Sequence, residues 1–349
     1  MATIARCRRR TPRRWRGRRP PGNDPSQVQT MAGRMMMTWR FWIGAAFAAL
    51  LGAAVPAGAD EGELPEPDRS LVYREIDGVS LRLHIFLPEG HRRGDRRPAV
   101  IFFFFGGWAG GTPRQFFPQA RELAGLGLVG ISAEYRVRSR HGVMPDACVS
   151  DAKVAIRRVR ELHDELGVDP ERIVAAGGSA GGHLAACAGV VPGFEPEGGA
   201  TAFDSVPNAM ILFNPVVDTT ETGFGGDRFR PEHREALSPC HHVRPGLPPT
   251  IVFHGESDAV VPFENAQRFV RLMREAGNDC ELVGFPGRGH GFFNSPAFRK
   301  GARAEDYRAV MDAVIAFLRA HGFLPVQAAE KKALRGSGRS DTTEREVLQ

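Results

Sequence analysis

A serine between small residues, Gly177-Gly178-Ser179-Ala180-Gly181, follows one short apolar run and opens another. In a strand-turn-helix context this spacing puts the serine on a tight turn with its hydroxyl above a sheet, because a side chain at either glycine would clash where backbone meets backbone. Ser179 is therefore the candidate nucleophile. The turn also places it at a helix N-terminus, where free N–H groups favour a developing negative charge. A serine hydroxyl attacks only when a base takes its proton, and that base needs an orienting group. Asp258, in His254-Gly255-Glu256-Ser257-Asp258, and His290, in Gly287-Arg288-Gly289-His290-Gly291-Phe292, each follow a predicted strand and come in the order acid then histidine. Glu256 is the nearest rival to Asp258. His183 lies one helical turn beyond Ser179, faces away from the hydroxyl and reads as packing. Taken singly, each motif has a plainer reading: a glycine-rich connection, a cap for the helix starting near Pro262, a loop histidine.

The charge that develops on an attacked carbonyl needs amide donors. The N–H of Ala180 is one, and the glycine-rich run Phe104-Phe105-Gly106-Gly107-Trp108-Ala109-Gly110-Gly111 offers those of Gly106 and Gly107. A plain glycine turn is the alternative there. Trp108 is a candidate for stacking on a sugar and Asn214 for lining a pocket, with burial and strand capping as their alternatives.

Alternating strands and helices must hold these residues. Two short strands over 71–76 and 81–87 are joined by Asp77-Gly78, a hairpin signal. The run 98–105 is apolar almost throughout, as a central strand covered on both faces requires. Helices are then expected over 114–125, 146–166, 180–190, 263–276 and 302–321, and strands over 128–134, 172–176, 209–213, 250–254 and 280–285. Strands separated by helices make an α/β fold with a mostly parallel sheet and helices on both faces. The stretch 218–247, rich in Gly, Pro, Arg and His, lacks a period and reads as a lid-like insertion or binding loop.

The Gly177–Gly181 motif extended by Gly182-His183-Leu184-Ala185, with Phe104–Trp108, Ala133-Glu134-Tyr135-Arg136, His254–Asp258 and Gly289–Phe292, resembles the esterase/lipase branch of α/β-hydrolases. Hormone-sensitive-lipase-like enzymes and secreted bacterial acetyl or feruloyl esterases share this set. The resemblance covers residues 70–321 and implies the α/β-hydrolase fold, a Ser-His-Asp acyl-transfer mechanism without cofactor or metal, and short-chain, acetyl-type esters, on small molecules or carbohydrate, as substrates. The family's His-Gly-Gly-Gly is here Phe104-Phe105-Gly106-Gly107: the two amide-bearing glycines are kept, whereas the residues that support the loop are replaced. A prolyl-oligopeptidase-type peptidase shares the triad order but normally carries a large extra domain, which nothing before residue 70 supplies. A non-catalytic binding protein on the same fold is the third reading.

Composition bounds the rest. Residues 1–59 hold 11 Arg and one Asp, while the remaining 35 Lys and Arg against 39 Asp and Glu leave the body at −4. The overall +6 is therefore no nucleic-acid footprint. Arg34 and Arg40, the apolar run 41–55 and Ala57-Gly58-Ala59 follow the order of a secretory signal peptide, too short to give stable membrane insertion. The expected layout is an N-terminal extension and signal over 1–59, a linker over 60–69, the catalytic domain over 70–325 and a disordered tail over 326–349. Cys148, Cys187, Cys240 and Cys280 are too widely spaced for a disulfide scaffold and read as buried thiols. Expressed in a secreting bacterial host, the exported protein is expected to begin at Asp60. Intact-mass measurement checks this, and an uncut N-terminus would count against export by this route.

Overall fold

The strand that the apolar run predicts forms at the centre of the sheet. In the computed structural model, which describes residues 63–195 and 203–325, it is Arg97–Phe103 and is buried from its second residue on. The expected signal segment and the tail beyond residue 325 lie outside the described residues. In chain order the elements are β1 (Arg69–Ile76), β2 (Val79–Phe86), β3 (Arg97–Phe103), α1 (Phe117–Gly125), β4 (Val129–Ala133), α2 (Arg138–His141), α3 (Pro145–Glu161), α4 (His163–Leu166), β5 (Val168–Gly178), α5 (Ala180–Val190), β6 (Ala209–Phe213), α6 (His233–Ala236), β7 (Thr250–Gly255), α7 (Phe263–Glu275), β8 (Cys280–Phe285) and α8 (Ala304–Ala320). The eight strands run in the order β1-β2-β4-β3-β5-β6-β7-β8. β1–β2 and β2–β4 pair antiparallel, and every later pair is parallel.

Side chains alternate across a strand, so β3 feeds both faces. Ile101 and Phe103 join the core beneath α3, α5 and α7, with Ile156, Leu184 and Phe269. Val100 and Phe102 join the core beneath α1 and α8, with Leu123 and Met311. The pairings Phe103↔Gly177, Gly178↔Phe213 and Phe213↔Phe253 align the C-terminal ends of four neighbouring strands. Loops that follow those strands therefore meet at one edge, where ligands of open α/β sheets bind.

Several elements differ from expectation for local reasons. The helix predicted over 146–166 breaks at Leu162 into α3 and α4 and ends on Gly167, whose φ of 56° suits a left-handed cap. β5 starts four residues early, pairing through Val168 and, after a register shift, from Ile173 on. The stretch 218–247 holds only α6 and two 3-10 turns, Gly226–Arg228 and Pro239–His241, yet it is firmly anchored. Phe229, Leu237 and Cys240 are buried, and the Asp218 carboxylate accepts from the Thr220 N–H and hydroxyl and from Arg268. The four cysteines of the described residues are free and buried, and burial pushes the thiols of Cys240 and Cys280 up to about 12. Among the described residues no helix is long and apolar enough to cross a membrane.

A buried charge cluster fixes the antiparallel start against α3. Asp151 takes the Arg136 backbone N–H at 3.0 Å, its Nε at 2.9 Å and its Nη2 at 3.1 Å, and it also meets Arg74. Removing one partner of such a cluster strands the other charges. Asp151→Ala is expected to cost about 3–5 kcal/mol of unfolding free energy, read by denaturant titration.

Candidate active site

Ser179 sits where β5 turns into α5, at φ 53° and ψ −116°. This is a strained conformation for a residue with a side chain, of the kind held in place only when the surroundings over-determine it. They do so here. A Cβ at Gly177 would stand 2.8 Å from the Phe103 carbonyl oxygen, and one at Gly181 would collide with it outright. The Ser179 N–H donates to Phe213 O (2.9 Å), and its carbonyl accepts from His183 N (2.9 Å) and Val216 N (3.3 Å). The hydroxyl itself has no hydrogen-bond partner among the described residues.

Asp258 and His290 meet at 2.7 Å, Oδ2 to Nδ1. The same Oδ2 accepts from Asn214 Nδ2 (2.6 Å) and lies 3.4 Å from His254 Nε2, while Oδ1 accepts from the N–H groups of Val260 (2.8 Å) and Val261 (3.0 Å). Burial acts to raise the Asp258 pKa, but the nearby His254 ring, the hydrogen bonds from His290 and Asn214 and the attraction of His290 outweigh it and hold the carboxyl far below the usual carboxylate range. An ionised Asp258 accepts the hydrogen bond of the His290 Nδ1–H, which leaves Nε2 as the basic nitrogen. Ser179 and His290 are not hydrogen-bonded to each other; such contacts commonly close only around substrate. Their loops do touch, since a Cβ at Gly178 would lie 2.6 Å from Phe293.

The glycine-rich loop after β3 packs on the start of α5. Gly106 (φ 136°) and Gly107 (φ 58°) adopt backbone angles that favour glycine, and their N–H groups donate to no described residue. Ala180 opens α5, so its amide belongs to the free N–H groups of a helix start. Where the resembling family has His-Gly, support comes from elsewhere. Phe104 stacks on Tyr135 at 4.1 Å, and the Tyr135 hydroxyl donates to Phe104 O (2.8 Å). The Phe105 N–H donates to Gln115 Oε1 (2.7 Å), Gln115 Nε2 to Asn294 Oδ1 (2.8 Å), and Asn294 Nδ2 to Gly291 O (2.7 Å). This buried relay ties the glycine loop to the His290 loop. Gln115 and Asn294 lie 179 residues apart in the chain, so no local pattern announces their pairing.

Two expectations change, for Trp108 and Asn214, and one rival, Glu256, falls away. Trp108 is 2 % exposed, packed edge-on against His183 and Phe229 with its indole N–H directed at His183 Nδ1, and it has no free face for a sugar. Asn214 is buried and grips Asp258 rather than lining a pocket. Glu256 points toward Gly284 and Phe263, on the β8 side, so it does not compete with Asp258. His183 packs, as its position predicts: Nε2 donates to Leu237 O (2.7 Å) and burial lowers its pKa to about 4. Among the described residues no group of three or more His, Cys, Asp or Glu side chains could hold a metal ion.

Sheet order, the turn at Ser179 and the loops at the sheet edge are those of an α/β-hydrolase. Comparison with known proteins narrows this: the chain belongs to the esterase/lipase family of that fold. A BD-FAE family profile matches residues 83–222, and the Dienelactone hydrolase family matches 226–322. Thermogutta terrifontis esterase 2, solved with propionate bound, is 46 % identical with a TM-score of 0.71, over 76 % of this chain and 98 % of that one. Esterase LipC of Mycobacterium tuberculosis is 33 % identical over 233 residues, 59 % of this chain and 56 % of its own. Carboxylesterase NlhH of the same species is 27 % identical, over 66 % and 76 %. The chain spans about half the length of several curated relatives it matches.

His183 gives the site a pH signature. Its folded pKa of about 4 lies below the ordinary 6.5, so between those values the unfolded chain holds a proton that the folded one does not. The stability from neutral His183 is present above about pH 6.5 and is lost as pH falls toward 4. Between pH 7 and 5 the wild type should lose about 2 kcal/mol more than His183→Gln in urea unfolding.

Proposed function

We propose that the chain hydrolyses carboxylic esters, with Ser179 as nucleophile, His290 as general base and Asp258 as its orienting anion. The observation that carries the reading is the Asp258–His290 hydrogen bond at the edge of the sheet where Ser179 occupies its strained turn. In the first step His290 Nε2 takes the hydroxyl proton as Ser179 attacks the ester carbonyl. The N–H groups of Ala180, Gly106 and Gly107 receive the developing oxyanion, and Asp258 stabilises the imidazolium. The protonated His290 then gives its proton to the leaving alcohol. Water, activated by the same imidazole, attacks the acyl-enzyme and releases the acid and free Ser179.

Short acyl groups are part of the proposal. Structures of Thermogutta terrifontis esterase 2 hold propionate and butyrate, and that enzyme is phosphorylated by paraoxon, as a nucleophilic esterase would be. Acetyl esters fit the same range. Carbohydrate as the alcohol portion no longer draws support from Trp108 and rests on the export signal alone, which also makes export a proposal.

Ser179→Ala should cut the hydrolysis of p-nitrophenyl acetate by about 10³-fold or more while the thermal unfolding midpoint is kept. Asn214→Ala removes one donor to Asp258 and should cost about ten-fold. A Ser179→Ala protein that kept near wild-type turnover would falsify the assignment.

A further inference from the structure

Many arginines of the described body meet a carboxylate. Arg74 and Arg136 share Asp151, Arg121 pairs with Asp68 and Arg268 with Asp218. Eleven of the 28 described arginines make no ion pair with a described residue, and two of these, Arg228 and Arg299, lie against the site loops. Each donates instead to a backbone carbonyl, Arg228 Nη1 to Gly107 O (3.4 Å) and Arg299 Nη1 to His290 O (3.3 Å). Gly107 and His290 lie on the two loops that would present the oxyanion amides and the general base.

Each guanidinium group lies against its loop, that of Arg228 half-buried and that of Arg299 exposed. A Cβ at Gly107 would collide with Arg228 Nη1, and one at Gly291 would lie 2.5 Å from Arg299 Nη1. Arg228 is half-buried, lies 5.3 Å over the Phe224 ring and precedes Phe229, which is buried against Trp108. The insertion is thus fastened beside the glycine loop, and Arg228 rides on it. Arg228 engages the carbonyl of Gly107 and leaves the N–H for an oxyanion, so its charge is placed for a group beyond the reacting carbonyl. A guanidinium has five N–H donors in a fork that matches a carboxylate, and that of Arg228 is half-buried beside the glycine loop with only the Gly107 carbonyl and the Phe224 ring on it. The body around them carries a net −4, so the two cations are not a reflection of composition. Arg140 donates to Gly111 O nearby (3.0 Å), but it shares a cavity of about 260 Å³ with Glu134 and is not part of this pair.

We propose that Arg228 and Arg299 bind a carboxylate on the non-reacting part of the substrate, so that the preferred esters are acidic. The inference rests on the ester-hydrolase reading and deepens it by naming a substrate class. It predicts attraction before chemistry, expressed in kcat/KM and weakened by salt.

Two matched substrate pairs test it in the full-length protein. The p-nitrophenyl half-ester of glutarate against p-nitrophenyl pentanoate places the charge in the acyl part. Para-acetoxybenzoate against para-methylphenyl acetate places it in the leaving group. Wild type is expected to favour the acid in at least one pair, and Arg228→Met with Arg299→Met should lower that preference by about ten-fold with neutral-ester kcat/KM little changed. An unchanged preference in both pairs overturns the proposal. So does an equal loss on the neutral ester, since the arginines would then only hold the loops. A binding arm needs no turnover: titration calorimetry with the amide para-acetamidobenzoate against neutral para-methylacetanilide. If no ester is cleaved but the acid binds through these arginines, the hydrolase reading fails and carboxylate recognition stands; if esters are cleaved without charge preference, the reverse holds.

Discussion

A buried carboxylate is tolerated only when donors meet its oxygens, because an ion taken out of water without them costs several kcal/mol. Asp258 meets that condition with groups from three places. Asn214 reaches it from the end of β6 and the amides of Val260 and Val261 from the loop that carries the aspartate itself, while His254 of β7 lies 3.4 Å away with its Nε2 on Val261 O (2.9 Å). His290, arriving after β8, completes the set. One charge thereby fastens the ends of three adjacent strands to each other, and it sets which nitrogen of His290 is free to act as a base. Asn214 has a φ of 42°, an angle that asparagine accepts more readily than most residues, and this turn lets its amide face the carboxylate.

The same edge is held from below by close backbone approach. The start of α5 lies against the carbonyls of Phe103 and Phe104, which leaves room only for glycine at 181. That contact puts the first amide of α5 beside the glycine loop and makes a composite set of donors out of two distant segments. The loop needs lateral support, and Tyr135 and Gln115 provide it where the family places histidine. Gln115 also reaches Asn294, so the glycine loop proposed to bind the oxyanion and the loop of the proposed base, His290, are tied by one buried chain of hydrogen bonds.

The irregular stretch over 218–247 completes the arrangement. Its turns have little regular structure, yet Phe229 and Leu237 are buried and Asp218 is tied to Arg268 on α7. Anchoring of this kind turns an aperiodic segment into a fixed wall. It also buries Trp108, whose place next to the glycine loop had suggested an open stacking platform.

Order along the chain was enough to nominate Ser179, Asp258 and His290, because a strained strand-to-helix turn demands small neighbours and because parallel strands deliver their following loops to a single edge. The central strand was equally legible, since burial on both faces requires an unbroken apolar run. The chain could not reveal which polar residues complete the site. Asn214 and Gln115 act on partners 44 and 179 residues away; the end of a strand marked Asn214 but not its partner, and nothing near Gln115 marks it at all. Nor could it settle Trp108, because an aromatic ring beside a loop packs inward or outward according to what covers it, here Phe229. The sequence by itself determined which groups are proposed to react, through the local strain and burial they require; the tertiary structure alone decided what holds them, because hydrogen bonds between distant segments exist only once the chain has closed.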